Sequence, residues 1–266
     1  MNPWQRLDDE LGAWRACDRP ATLWWRDDDA CRESAALTRM LDIAHAAQVP
    51  IALATIPALL EPSLPSAIAA RSVATIVQHG YAHRNHAPPG ERNWELGAHR
   101  PIALTLSELV KGRAALEQAF GSCFVPVLVP PWNRIDMAVI AELPAAGFFG
   151  LSTFGPRAAP CPIPALAQCN AHVDLIAWRR DGVFIGASSA IDRIVEHLRS
   201  RREGGADPLE PTGMLTHHLD LDDAAWDFIA DLVSRTRAHG ALWLDVADVF
   251  AAHWSTLGAA RLPSGG

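Results

Sequence analysis

The sequence predicts a single α/β domain in which strand–helix units repeat around a parallel sheet or barrel. Short apolar runs alternate with segments whose apolar residues recur at helical spacing. The acidic and histidine-bearing segments fall at the C-terminal ends of those runs, where parallel α/β sheets gather their active sites. The Pro- and Gly-rich stretches at 156–164 and 204–213 read as surface loops, because apolar strands resume beyond each. No internal repeat or charged linker divides the chain.

Taken in order, residues 1–20 are expected to form a helical extension, 21–257 the domain and 258–266 a frayed tail. The first strand, Leu23-Trp24-Trp25-Arg26, closes in three consecutive carboxylates, Asp27, Asp28 and Asp29. Acidic groups beside so apolar a strand need cationic compensation, since unpaired buried charge is costly. Ala36, Leu37, Met40, Leu41 and Ala44 then mark a helix. The run from Val49 to Ile56 reads as a buried strand stopped by Pro57, and Val73 to Gln78 as another that delivers His79. His79 and His83, four apart, would share one face if that stretch were helical. Glu95 and Arg100, in the polar loop that follows, read as solvated charges, with substrate contact as the alternative.

Leu106, Leu109, Val110, Leu116 and Phe120 mark a second helix, followed by a strand from Phe124 to Val129 that ends at Pro130-Pro131. Residues 171–178 alternate as a strand, with Val173, Leu175 and Ala177 on one face and His172, Asp174 and Trp178 on the other. Met214-Leu215-Thr216 delivers His217-His218, and Asp220, Asp222 and Asp223 form an acidic helix start. Ala241 to Leu244 is the last strand expected.

Composition narrows the function. A net charge of −7 and a pI near 5.8 argue against a nucleic-acid or anionic-membrane binder. The first ten residues are too polar for a secretory leader, and no apolar run approaches a membrane span. Five cysteines, odd in number and without a C-x-x-C pair, favour free thiols in a reducing cytoplasm. Cys31 reads as a small buried thiol rather than a metal ligand. One carboxylate with two imidazoles is the donor set of many catalytic Zn²⁺ centres.

These residues resemble the polysaccharide deacetylases, carbohydrate esterase family four, also called the NodB-homology domain. Trp25-Arg26-Asp27-Asp28-Asp29 is similar to that family's T-F-D-D-G motif, and His79-Gly80-Tyr81-Ala82-His83 to H-[ST]-x-x-H. Leu128-Val129-Pro130-Pro131-Trp132-Asn133 resembles F-R-P-P-Y-G. Asp174 with Trp178 resembles the fourth motif, and Leu215-Thr216-His217 the fifth, L-x-H. All five stand in the family's order.

The resemblance implies a distorted (β/α) barrel and one divalent metal ion, zinc by its imidazole-rich ligation. It implies Asp27 as general base, with Asp28, His79 and His83 as metal ligands. His217 would be the general acid, with the backbone N–H of Trp132 holding the oxyanion. Because Asp29 replaces the glycine of T-F-D-D-G, a register slipped by one, with Asp28 as base and Asp29 as ligand, is the alternative. Val129 replaces the third-motif arginine, so Arg134, paired with Asp174, is expected to take over that role, with Arg26 as the other candidate. The implied activity is removal of an N-acetyl or related acyl group from a small or oligomeric carbohydrate. An allantoinase-like hydrolase of a small amide, and a catalytically silent sugar-binding module, are the alternatives.

Overall fold

The computed structural model describes residues 2–250. Eleven strands follow in chain order: β1 (Thr22–Ala30), β2 (Ile51–Thr55), β3 (Ala74–His79), β4 (Phe124–Val129), β5 (Gly150–Leu151), β6 (Ala167–Gln168), β7 (Val173–Asp174), β8 (Ile176–Ala177), β9 (Val183–Phe184), β10 (Thr212–Thr216) and β11 (Leu242–Trp243). The main sheet runs β6-β5-β4-β3-β2-β1-β10-β7, with β11 pairing the start of β1, and every pairing in it is parallel. Among the described residues α1 (Pro3–Ala16) precedes β1, and six α-helices lie in the connections: α2 (Ala35–Ala47), α3 (Ser63–Ala69), α4 (Ile102–Phe120), α5 (Met137–Glu142), α6 (Ala187–Glu203) and α7 (Asp223–Ala238). This is a curled parallel sheet with helices outside it, a distorted (β/α) barrel.

The two sheet faces bury different things. Inside the curl, Trp24, Ala52, Ala54, Val77, Val127, Val129 and Ala167 form one apolar cluster. Outside, Trp25, Leu53 and Met214 meet the helices through Leu37, Met40, Ile194, Ile229 and others. Side-chain caps start several of the helices. The Ser34 hydroxyl accepts from Leu37 N–H to start α2, whose buried stripe is Leu37, Met40, Leu41 and Ala44. The Asp222 carboxylate caps α7 through Ala225 N–H at 2.8 Å.

Two local expectations change. The stretch 171–178 is not one strand: β7 joins the main sheet beside β10, whereas β8 pairs antiparallel with β9. The segment after His79 is a loop, because Gly80 turns at φ 53° and breaks the strand without starting a helix. Helix α1 (Pro3–Ala16) docks against α6 through buried Leu7, Leu11 and Trp14. The tail at 258–266 lies outside the described residues. Among those described, no helix is long and apolar enough to cross a membrane.

Candidate active site

The end of β1 carries the site, and its geometry follows from one irregularity. Asp27 pairs with Leu53, but Ala30 pairs with Thr55, so β1 holds one residue more than β2 across this stretch. That is a β-bulge, and Asp29 within it stands at φ 71°. Ahead of the bulge the side chains alternate normally. Trp25 and Asp27 face the helices, and Trp24, Arg26 and Asp28 face the interior. The bulge then turns Asp29 inward as well, so two consecutive carboxylates line one cleft. The cleft has a volume of about 310 Å³ and is lined by Asp28, Asp29, His79, His83, Trp132, Asn133, Arg134, Asp174, Trp178 and His217.

Of the two registers, the geometry brings the slipped one to the imidazoles. Asp29, not Asp28, meets the imidazoles: its Oδ1 lies 3.2 Å from His79 Nε2 and 3.4 Å from His83 Nε2. His79 Nδ1 sits 3.0 Å from the Val129 carbonyl, to which it can only donate, which leaves the Nε2 lone pair facing Asp29. Asp29 Oδ1 is buried and has no hydrogen-bond donor. Acceptor atoms thus converge on one point, an arrangement that is costly unless a cation sits there. The residues fit a divalent metal. A proton on His79 Nε2 would supply the same positive charge, and burial and neighbouring charge set the balance of that protonated form. Burial pushes the Asp29 carboxyl up, but the hydrogen bond and charge of His79, with His83 and His217, hold it well below the usual carboxylate range. Burial alone would lower His79; the charges of Asp28 and Asp29 outweigh it and raise it. His83 is pushed down by burial and by His79.

Asp28 is held by Arg26, whose Nε lies 2.9 Å from Oδ1 and whose Nη2 donates to Oδ2 at 3.1 Å. The guanidinium is fully buried and spends its remaining donors on Ser152 Oγ (2.8 Å), the Ser152 and Thr153 carbonyls, and Asn133 Oδ1 (2.7 Å). The expected Arg134–Asp174 pair does not form. Arg134 donates instead to the Asn93 carbonyl at 2.7 Å, and Asp174 accepts from Ile176 N–H and Trp178 Nε1. Val129, where the family pattern has arginine, is buried in the interior cluster, and Arg26 reaches the same region from β1.

Asp27 lies outside the cleft. Its Oδ1 accepts from His218 Nδ1 at 2.6 Å and its Oδ2 from Thr216 Oγ1 at 2.6 Å, and Thr216 in turn accepts from Trp25 Nε1. Both carboxylate and imidazole are buried on the helix side of the sheet. Asp27, expected as the base, therefore does not reach the cleft: on a pleated strand it points away from the residues around it in sequence that line the cleft. His218 is raised by Asp27, which outweighs the opposing effect of burial.

His217 and Trp132 both line the cleft. His217 lines the cleft with its Nδ1 buried and unpartnered, and its ring packs edge-on to Trp178 at 4.7 Å. Burial pushes the nearby Asp174 carboxyl up, although His217 and its two hydrogen-bond donors pull against that. Trp132 and Asn133 both stand at φ 55°, a double left-handed turn after Pro131 that sets the Trp132 ring 4.4 Å from that of His83. His172 is elsewhere. It accepts from Gly213 N–H and stacks on His197 beside Glu210 in a separate buried group. Cys31 is half-buried and outside the ligand group.

Sequence reasoning missed the burial of Glu95, which is 1% exposed rather than solvated. Its signal was a carboxylate just before the apolar Leu96 in an otherwise polar loop.

No protein-family model matches the sequence, and no curated protein matches it. Solved structures do. A Mycobacterium smegmatis protein assigned to the polysaccharide deacetylases aligns over 93% of this chain and 95% of its own at a TM-score of 0.68 and 15% identity. A family 4 carbohydrate esterase from Streptomyces lividans, solved with acetate, aligns over 84% and 91% at 0.54 and 13%. A Bacillus subtilis family 4 carbohydrate esterase aligns over 88% and 82% at 0.58 and 14%. The chain has the fold of the family 4 carbohydrate esterases.

Proposed function

We propose that this chain is a metal-dependent deacetylase that hydrolyses the N-acetyl group of an acetylated carbohydrate. The observation that carries the reading is the convergence of Asp29, His79 and His83, with Asp28 and His217 lining the same cleft. A divalent ion held by those three residues, zinc by the imidazole-rich donor set, would polarise the acetyl carbonyl and acidify a water.

The chain's own residues supply the rest. Asp28, fixed by the Arg26 fork, accepts a proton from the attacking water. The water oxygen bonds to the acyl carbon, and the backbone N–H of Trp132 holds the developing oxyanion. The left-handed turn at Trp132 is what would aim that group into the cleft. His217 delivers a proton to the departing nitrogen as the C–N bond breaks, giving acetate and a free amine. An amine leaves badly as an anion, so this donor is required on the amide. The exposed indole of Trp178 beside His217 gives a sugar ring a flat apolar surface.

The test is acetate release from an N-acetylated amino sugar and its oligomers by zinc-loaded protein. Release with stoichiometric zinc, lost on chelation and restored by zinc, is the expected result. Opening of a cyclic ureide without acetate would replace the reading with an allantoinase-like one, and zinc and sugar binding without turnover with a silent module. His217→Ala should retain zinc and lose far more activity on an amide than on an activated ester, whose leaving group needs no proton. Equal loss on both would remove His217 from the acid role.

A further inference from the structure

His83 reaches Asp29 from a loop whose path is held open by a group outside the ligand set. Gly80 and His83 both stand at φ 53°, and between and beyond them the N–H groups of Tyr81, Ala82 and Arg84 converge on one point. The carboxylate of Glu95 occupies it. Oε2 accepts from Tyr81 at 3.1 Å, and Oε1 accepts from Ala82 at 2.8 Å and from Arg84 at 3.4 Å. The counter-charge of this buried carboxylate is thus a backbone nest, an anion-holding concavity of successive N–H groups. Gly80 stands where the family pattern has Ser or Thr, and a Cβ there would collide with Glu95 Oε2 and with the ring of Pro131.

The segment that brings Glu95 in is itself pinned on both sides. Trp94 N–H donates to Asn85 Oδ1 and the Trp94 carbonyl accepts from His86, both within the histidine loop. On the other side Arg134 donates to the Asn93 carbonyl, Asp136 N–H donates to the Leu96 carbonyl, and Leu96 bridges Ile135. Glu95 therefore ties the loop that bears His83 to the loop that bears Trp132.

We propose that Glu95 is a positioning residue for the metal centre, setting His83 beside Asp29 before any ion arrives. The inference rests on the metal reading above. With the carboxylate present, folding itself places His83 in its left-handed conformation. Without it, three N–H groups lose their shared acceptor, the turn relaxes, and ion binding has to rebuild it, which lowers affinity.

Glu95→Gln tests this at constant size, because an amide offers one accepting oxygen and turns N–H donors toward the nest. Zn²⁺ affinity is measured by chelator competition on metal-freed protein, alongside the Zn²⁺-induced rise in Tm. The expected result is ~10–100-fold weaker Zn²⁺ binding, the usual cost of removing an outer partner of a metal ligand, with a correspondingly smaller rise in Tm. A merely structural Glu95 would lower the metal-free Tm and leave Zn²⁺ affinity unchanged, and that outcome overturns the proposal. If the Gln variant does not fold, Glu95→Asp, which keeps the charge and shortens the reach, is read by the same criterion. Wild-type protein that takes up no Zn²⁺ would remove the metal reading and this inference together, whereas unchanged affinity in the variant removes the role of Glu95 alone.

Discussion

Asp29→Asn is expected to abolish stoichiometric zinc, whereas Asp28→Asn should keep zinc and lose ~10²–10⁴ in rate, the usual contribution of a general base. The two residues are adjacent, so the contrast depends on the bulge that turns both into the cleft while giving them different partners. Asp29 Oδ1 faces His79 and His83, and Asp28 faces the Arg26 fork. Metal content by mass spectrometry and turnover on an N-acetylated sugar amine check the pair. If Asp28→Asn loses zinc and Asp29→Asn retains it, the assignment of the two carboxylates is wrong.

Asp27→Ala is expected to cost stability rather than chemistry, about 3–5 kcal/mol for leaving one member of a buried ion pair without its partner. His218 and Thr216 would lose their common acceptor under the helix layer. The sign with pH follows from His218, whose folded value is raised chiefly by Asp27 against burial. A raised imidazole contributes stability that is fully present below its unfolded value of about 6.5 and is lost as pH rises through the folded value. Urea titrations of wild type and of Asp27→Asn should therefore differ most at acid pH within the folded range and converge as His218 deprotonates. Zinc binding should be unchanged in both variants. A normally stable Asp27→Ala that loses only turnover would return Asp27 to the role of base.

The fold and the neighbourhood of the site were legible in the sequence because apolar runs ended repeatedly in polar, chemistry-bearing residues. Alternation placed His217 and His218 on opposite sides of the β10 end, as found. It failed at Asp27-Asp28-Asp29 for the same physical reason it worked elsewhere. A period of two assumes an unbroken ladder, and a bulge inserts a residue without any marker, since Asp29 is not a glycine. The His79–His83 spacing misled in a related way: four residues fit a helix turn, but Gly80 and the carboxylate of Glu95 bend them into a loop. Arg26 was visible only as a candidate, because a charged residue within Trp-Trp-Arg gives no hint of what it faces until Ser152 and Asn133 arrive from elsewhere in the chain.

Arg26 and Asp28 also differ in chain separation from the meetings of Asp29 with His79 and of the β1 end with His217. His79 is fifty residues from Asp29, and His217 lies far beyond both, so those meetings require the barrel to close. Two residues apart on one extended segment, the arginine and the carboxylate face the same way with almost no loop-closure entropy to overcome. The pair is therefore available to the unfolded chain as well. Its removal should shift the equilibrium stability by less than its buried geometry suggests, because the reference state loses the same attraction. The proposed base thus carries its counter-charge from the outset, independent of how the rest of the barrel assembles around it.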